Sequence, residues 1–193
     1  MNRKQFLRVV YLGLATIIPL GIISANSAIG QSGINQSALQ SAALSKHNSY
    51  RSTHNSPNMT LSSSLNSSAQ SWANHLASNG VFEHSKTNVG ENLFVSYTTA
   101  SSVDSAALAN QAVTSWYNEV SDYDYANPGF SGKTGHFTQV VWKNSTELGC
   151  AAAQGVATIQ GNQYNAFYVV CQYNPAGNVL RQFEDNVLEP NSK

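Results

Sequence analysis

Four titratable residues stand out because each sits in an apolar frame in a chain with few charges. They are His84 in Glu83-His84-Ser85, Glu91 in Gly90-Glu91-Asn92-Leu93, Glu119 in Trp116-Tyr117-Asn118-Glu119, and His136 in Gly135-His136-Phe137-Thr138-Gln139-Val140-Val141-Trp142. Burying an imidazole or a carboxylate is costly unless partners compensate, so four such residues point to one shared polar site. Imidazoles beside carboxylates are also the groups of general acid–base chemistry. Ser85 next to His84 invites a serine-nucleophile reading, but sequence neighbours rarely reach attack geometry and no oxyanion-hole signature accompanies them.

The remaining histidines carry less. His47 falls on the apolar side of a first helix, where packing and hydrogen bonding explain it; His75 adjoins Leu76, and His54 lies in a polar stretch. All three are weaker candidates, and neither His47 nor His75 is expected to be a ligand. Trp72, Trp116 and Trp142 occupy helical or motif positions and are expected in the core. Tyr123, Tyr125 and Phe130 fall in a long loop, where exposed aromatic side chains would suit an apolar ligand.

These residues must be positioned by a scaffold that alternates helix and strand. Leu39, Ala43, Lys46-His47 and Tyr50 recur at helical spacing, which predicts a first helix from about Ala38 to about Arg51. Leu65, Ala69, Trp72 and Leu76 predict a second, capped by serines and stopped at Asn79-Gly80. Ser101-x-x-Asp104 reads as a capping-box-like start to a third, running through Ala109, Trp116 and Val120, with Glu119 flanking its apolar stripe. Val89–Val95 reads as a strand, and Tyr123–Lys133 as a loop. Leu148–Gln154 and Phe167–Tyr173 read as strands joined by a turn containing Gly161-Asn162. Paired antiparallel, the last two would bring Cys150 near Cys171.

At 193 residues the chain accommodates one domain with a real core. Residues 1–30 read as a secretory signal peptide: three basic residues by Arg8, an apolar run from Val9 to Ile23, then a small-residue tract. Cleavage after Gly30 is expected, with Ala25 and Ser27 marking a competing site. An uncleaved anchor is the alternative, but the run of about 15 residues falls short of the roughly 20 a spanning helix needs. Residues 31–37 are expected to be a flexible lead-in, and 38–193 a single folded domain. Export makes the two cysteines a disulfide pair. Ten acidic and ten basic residues, with no basic stripe, make nucleic acid an unsuitable partner. Asn35, Asn58, Asn66 and Asn144 begin glycosylation sequons, which matter only in a host that glycosylates.

Taken in order, the motifs resemble those of the CAP superfamily of cysteine-rich secretory proteins, antigen 5 and pathogenesis-related proteins 1. The resemblance is carried by the Gly135–Trp142 octapeptide, Leu148-Gly149-Cys150-Ala151, and Tyr168-Val169-Val170-Cys171-Gln172-Tyr173-Asn174-Pro175-Ala176-Gly177-Asn178. It extends to His47-Asn48-x-x-Arg51, Ala69-Gln70-x-Trp72-Ala73-x-x-Leu76, His84-Ser85, Gly90-Glu91-Asn92-Leu93 and Trp116-Tyr117-x-Glu119. It implies an α+β fold, a three-layer α-β-α sandwich, here with a small central antiparallel sheet. It further implies that His84, Glu91, Glu119 and His136 converge in one cleft. There the two imidazoles could ligate Zn²⁺ or another divalent metal while the carboxylates orient them or accept protons from bound water.

The resemblance leads to an expectation of a secreted, extracellular protein (periplasmic if bacterial), non-enzymatic, binding a sterol or fatty acid and using no organic cofactor. After signal cleavage it would not be an integral membrane protein, and no protein partner is specified. A metal-dependent hydrolase or protease with Glu91 or Glu119 as base is the rival, and a structural or signalling module the third reading. No cysteine-rich extension like that of the animal members is expected, so the resemblance carries no inference about ion channels.

Overall fold

The computed structural model describes residues 33–191, so the expected signal peptide and cleavage site lie outside the described residues. Helix α1 (Gln36–Thr53) begins earlier than expected: Asn35 accepts a hydrogen bond from Ala38 N, and Ile34 is buried in the core. Ile34 and Leu39 hold the N′ and N4 positions of a hydrophobic staple, and Gln36 pairs its amide with both backbone groups of Ala152. The polar stretch expected to be a flexible lead-in is therefore, from Ile34 onward, a helix cap and an anchor. Leu39, Ala43, His47 and Arg51, four apart, form the buried stripe of α1.

After β1 (Thr60–Leu61), α2 (Ser63–Asn79) ends on left-handed Gly80, as its sequence predicted. Strand β2 (Gly90–Thr98) leads to α3 (Ser105–Asn118), whose cap is Asp104 itself, accepting from Ala107 N; Ser101 plays no capping part. A 3-10 turn, Glu119–Asp122, replaces the expected last turn of α3. The first seven residues of the Gly135–Trp142 octapeptide form α4 (Gly135–Val141), buried throughout. Strands β3 (Glu147–Ile159) and β4 (Asn162–Asn174) form a long hairpin, and α5 (Phe183–Asn186) follows. Gln160 and Gly161, both with positive φ, make the hairpin's two-residue turn, one position earlier than predicted.

The sheet order is β1-β3-β4-β2. Its three long strands are antiparallel, as expected, while the two-residue β1 adds a short parallel contact to β3. Alternation along β4 builds two cores. Phe167, Val169, Cys171 and Tyr173 join α1, α3 and α4 on one face, and Ala166, Tyr168 and Val170 join α2 on the other. That gives the three layers, helix on sheet on helix. A Cβ on Gly149 would collide with the α2 backbone at Leu65, which is why β3 carries glycine where α2 crosses it. Beyond β1 the outer edge of β3 is closed by side-chain amides: Asn66 accepts from Cys150 N, and Gln70 and Gln36 bond Ala152. Cys150 and Cys171 are directly opposed in the β3–β4 register and form a disulfide.

Candidate functional site

Glu91, second residue of β2, projects with Leu93 and Val95 toward the α2 layer. Its carboxylate takes four donors. Oε1 accepts from His84 Nδ1 at 2.9 Å and Ser85 N at 2.8 Å; Oε2 accepts from Ser85 Oγ at 2.6 Å and Gln172 Nε2 at 2.9 Å. Burial pushes the Glu91 carboxyl up, but the bonds from His84, Ser85 and Gln172 outweigh it and hold the group below the usual carboxylate value. An ionised Glu91 can only accept, so His84 carries its proton on Nδ1.

The second pair is built from the opposite layer. Glu119, first residue of the 3-10 turn, accepts at Oε1 from His136 Nδ1 at 2.7 Å and at Oε2 from His136 N and Phe137 N at 3.0 and 3.1 Å. It thus does for α4 what an N-cap side chain normally does, and Thr134, which occupies the cap position, makes no such bond. The same carboxylate sets the His136 ring, whose Nε2 is buried without a hydrogen-bond partner among the described residues. Trp116 stacks on that ring at 6.3 Å and donates its indole N–H to Leu93 O. His136 and Glu119 line a crevice beside edge strand β2, with Leu93, Val95 and Trp116 as walls. Its volume of about 20 Å³ holds one water or a bare cation and no organic molecule.

The four candidate residues are therefore organised as two histidine–carboxylate pairs flanking β2. Among the described residues no group of three or more His, Cys, Asp or Glu stands close enough to hold a metal ion. The donor set fits a cation in part. Each imidazole is oriented by a carboxylate on Nδ1, the arrangement found behind metal-binding histidines, and His136 Nε2 is a buried lone pair without a donor.

Several residues that complete the site gave only adjacency as a signal. Asn92, next to Glu91, donates to His136 O and to Tyr173 Oη, and Tyr173 donates to His47 Nε2, whose Nδ1 donates to Ala43 O. That chain fixes α4 to α1 through β2 and β4. Desolvation depresses His47 to about 4, with the Arg51 charge adding to the effect against the bond to Ala43 O. Arg51, also buried, has no carboxylate partner among the described residues; its guanidinium donates to the carbonyls of Pro57, Val140, Trp142, Lys143 and Ser145. The Asn174–Asn178 segment docks on α4 from the far side. Asn178 accepts from Thr138 Oγ1 and donates to Gly135 O, and Gln139 Oε1 accepts from Gly177 N. A Cβ on Gly177 would strike the Gln139 amide and Trp142.

The loop aromatics require a correction. Tyr123 is buried and packs edge-on against Phe137 at 5.5 Å; Tyr125 meets Tyr123 at 4.9 Å, and Phe130 faces Phe183 at 6.5 Å. Tyr123 is therefore not exposed, and Tyr125 and Phe130 are half-buried, because Phe137 and Phe183 offer apolar faces that they cover. Trp72 is likewise half-buried rather than central, stacked on exposed His75 at 4.5 Å. His54 is buried, bonded to Leu188 O and Tyr117 Oη.

Comparison with known proteins gives this architecture a family. The profile of the cysteine-rich secretory protein family, CAP, matches residues 44–173. The chain belongs to the CAP family. The CAP domain is 40% identical over 146 residues to Protein PRY2 of Saccharomyces cerevisiae, covering 75% of this chain and 40% of that protein. It is 36% identical over 154 residues to human Golgi-associated plant pathogenesis-related protein 1, covering 76% and 90%. Secreted protein RBT4 of Candida albicans is 36% identical over 171 residues, covering 82% and 43%. The chain thus spans well under half of the two fungal relatives. Among solved structures, the CAP domain superposes on NaASP2, crystallised with Zn²⁺, with a TM-score of 0.59 at 27% identity, covering 86% of this chain and 92% of that one. It matches BmVAL-1 with a TM-score of 0.60 at 25% identity, covering 82% and 87%. Among the described residues no helix is long and apolar enough to cross a membrane.

Proposed function

We propose that this CAP domain is exported and acts as a non-enzymatic binding protein for a sterol or fatty acid, with His84 and His136 able to hold a divalent cation. The observation that carries the non-enzymatic reading is the state of the two carboxylates. Glu91 accepts from four donors and Glu119 from three, and Glu91 is held below the usual carboxylate value. A general base needs a free lone pair and a pKa near the working pH; Glu91 has neither, and three of the four lone-pair sites of Glu119 are spent on orienting His136 and α4. The apolar ligand class rests on the family resemblance. A cavity of about 520 Å³ beside Trp142, Pro175, Ala176 and Val179, rimmed by amides, has the volume for such a ligand. Two imidazoles and solvent are a weaker donor set than the three protein ligands of a typical catalytic zinc site, so micromolar or looser cation binding is expected. When bound, the cation would supply Lewis acidity beside the β2 crevice.

The test is one folded preparation of the mature chain, titrated with a panel of sterols and fatty acids and with Zn²⁺. Saturable uptake of at least one lipid supports the reading; none across the panel overturns it. The crevice with room for one water beside His136 Nε2 also favours the metal-dependent hydrolase as the second reading. Chelator-sensitive turnover that Glu119→Gln abolishes without unfolding the protein would install that reading instead.

A further inference from the structure

Ser68, Ser71, Trp72 and His75 fall at i, i+3, i+4 and i+7 on α2, so they share one helix face. That face is not sealed by the core. It forms one wall of a groove of about 330 Å³, within the range of small-molecule sites, with Thr87 on the opposite rim and Gln172 at its floor. The groove lies on the α2 side of the sheet, away from the His136 crevice.

Three features define what would fill it. The wall is aromatic: Trp72 and His75 stack at 4.5 Å and 13°, and Trp72 is fixed by its indole N–H bond to Glu83 O. The floor carries an unanswered acceptor. Gln172 is fully buried, its amide is oriented because Glu91 can only accept from Nε2, and its Oε1 has no partner among the described residues. Oε1 has no accessible surface in the groove as it stands, so a ligand hydroxyl reaches it only by a small shift of its cover; a buried amide oxygen without a donor costs about 1–3 kcal/mol, which favours that shift. The rim is hydroxylic and uncharged: Ser68, Ser71 and Thr87 line it, and no Lys, Arg, Asp or Glu does. An aromatic platform asks for a flat apolar face, a buried acceptor for a hydroxyl donor, and serine and threonine rims for further hydroxyls. Anions find no counter-charge, and a purely apolar chain would leave Gln172 Oε1 unsatisfied.

We propose that the groove between α2 and the 85–87 segment is a saccharide subsite, taking one neutral pyranose ring against Trp72–His75 with a ring hydroxyl donating to Gln172 Oε1. Ser85 and Gln172 both also bond Glu91, so an occupant of the groove sits one hydrogen bond from the His84–Glu91 pair. The site is independent of the lipid-binding reading.

The experiment is protein-observed NMR on the mature chain, titrated separately with methyl β-glucopyranoside, methyl α-mannopyranoside, N,N′-diacetylchitobiose and, as an apolar control, oleate. The three indole N–H signals separate Trp72 from Trp116 and Trp142. The expected result is a saturable shift of the Trp72 indole with at least one sugar and none at the other two. His75→Ala removes half the stack and loosens binding about three- to tenfold. Ser71→Tyr, an exposed helix-surface change that fills the groove, abolishes the shift while thermal stability stays close to that of the parent. No saturable Trp72 shift with any of the sugars, a shift that survives Ser71→Tyr, or a shift with oleate alone overturns the proposal.

Discussion

Acid should unfold this protein through His47 before it reaches the carboxylates. The imidazole is fully buried, bonded at both nitrogens, and depressed from 6.5 to about 4, chiefly by desolvation. A depressed folded value means that the unfolded chain binds the proton first. The stabilisation is therefore complete above 6.5 and is lost as pH falls from there toward 4. At about 1.4 kcal/mol per pH unit, the interval from 6.5 to about 4 is worth about 3 kcal/mol, a large share of a domain's net stability. Protonation has no favourable outlet: Ala43 O holds Nδ1, Tyr173 donates to Nε2, and the Arg51 charge repels. His54, also lowered by burial, adds to the loss with the same sign, and Glu91 adds its share only below 4.5. The assay is urea unfolding followed by tryptophan fluorescence at steps from neutral pH to pH about 4, for the parent and for His47→Gln. His47→Gln should be less stable at neutral pH, and should lose about 3 kcal/mol less over the interval. Parallel losses in the two proteins would refute the assignment to His47.

Removing the buried guanidinium by Arg51→Met orphans carbonyls of α4 and of the turn after it, and should lower stability by about 3 kcal/mol or more in chemical denaturation; Arg51→Lys recovers only part, lacking the planar fork. Glu119→Gln leaves one acceptor oxygen for three donors, so a loss of about 2 kcal/mol is expected, together with a changed tautomer signature at His136 in nitrogen-15 NMR. An unchanged His136 spectrum would contradict the orienting role. Reduction of Cys150–Cys171, separated by 21 residues, should cost about 3 kcal/mol, read as the shift in the urea midpoint with and without reductant.

What was legible in the sequence followed from periodicity and local chemistry. The α2 stop at Gly80, the α1 stripe and the two long strands each come from patterns that one segment carries alone. Interpretations failed where a residue's meaning lies in another element. Asn35 reads as linker until Ser105 Oγ and the core receive its segment, and Tyr123 reads as exposed until Phe137 covers it. The histidine–carboxylate pairings were available only through the family likeness, since residues 7 and 17 apart in sequence announce no contact. Asn92 and Gln172 escaped notice because an uncharged amide in a strand looks like surface, and only the register that sets Gln172 opposite Glu91 reveals its use.

Helix α4 has seven residues, too few to persist as a helix in isolation. Its first amides are held by Glu119, and its last carbonyls by Arg51 and by Ser56 Oγ on Val141 O, all from other parts of the chain. It is a bolt with no thread of its own. His136 therefore takes up its position only once the layers have assembled, so the chain carries no working copy of this site while it is still nascent or partly folded. That is a form of latency: a ligand of this site can be held first at the end of folding and not along the way.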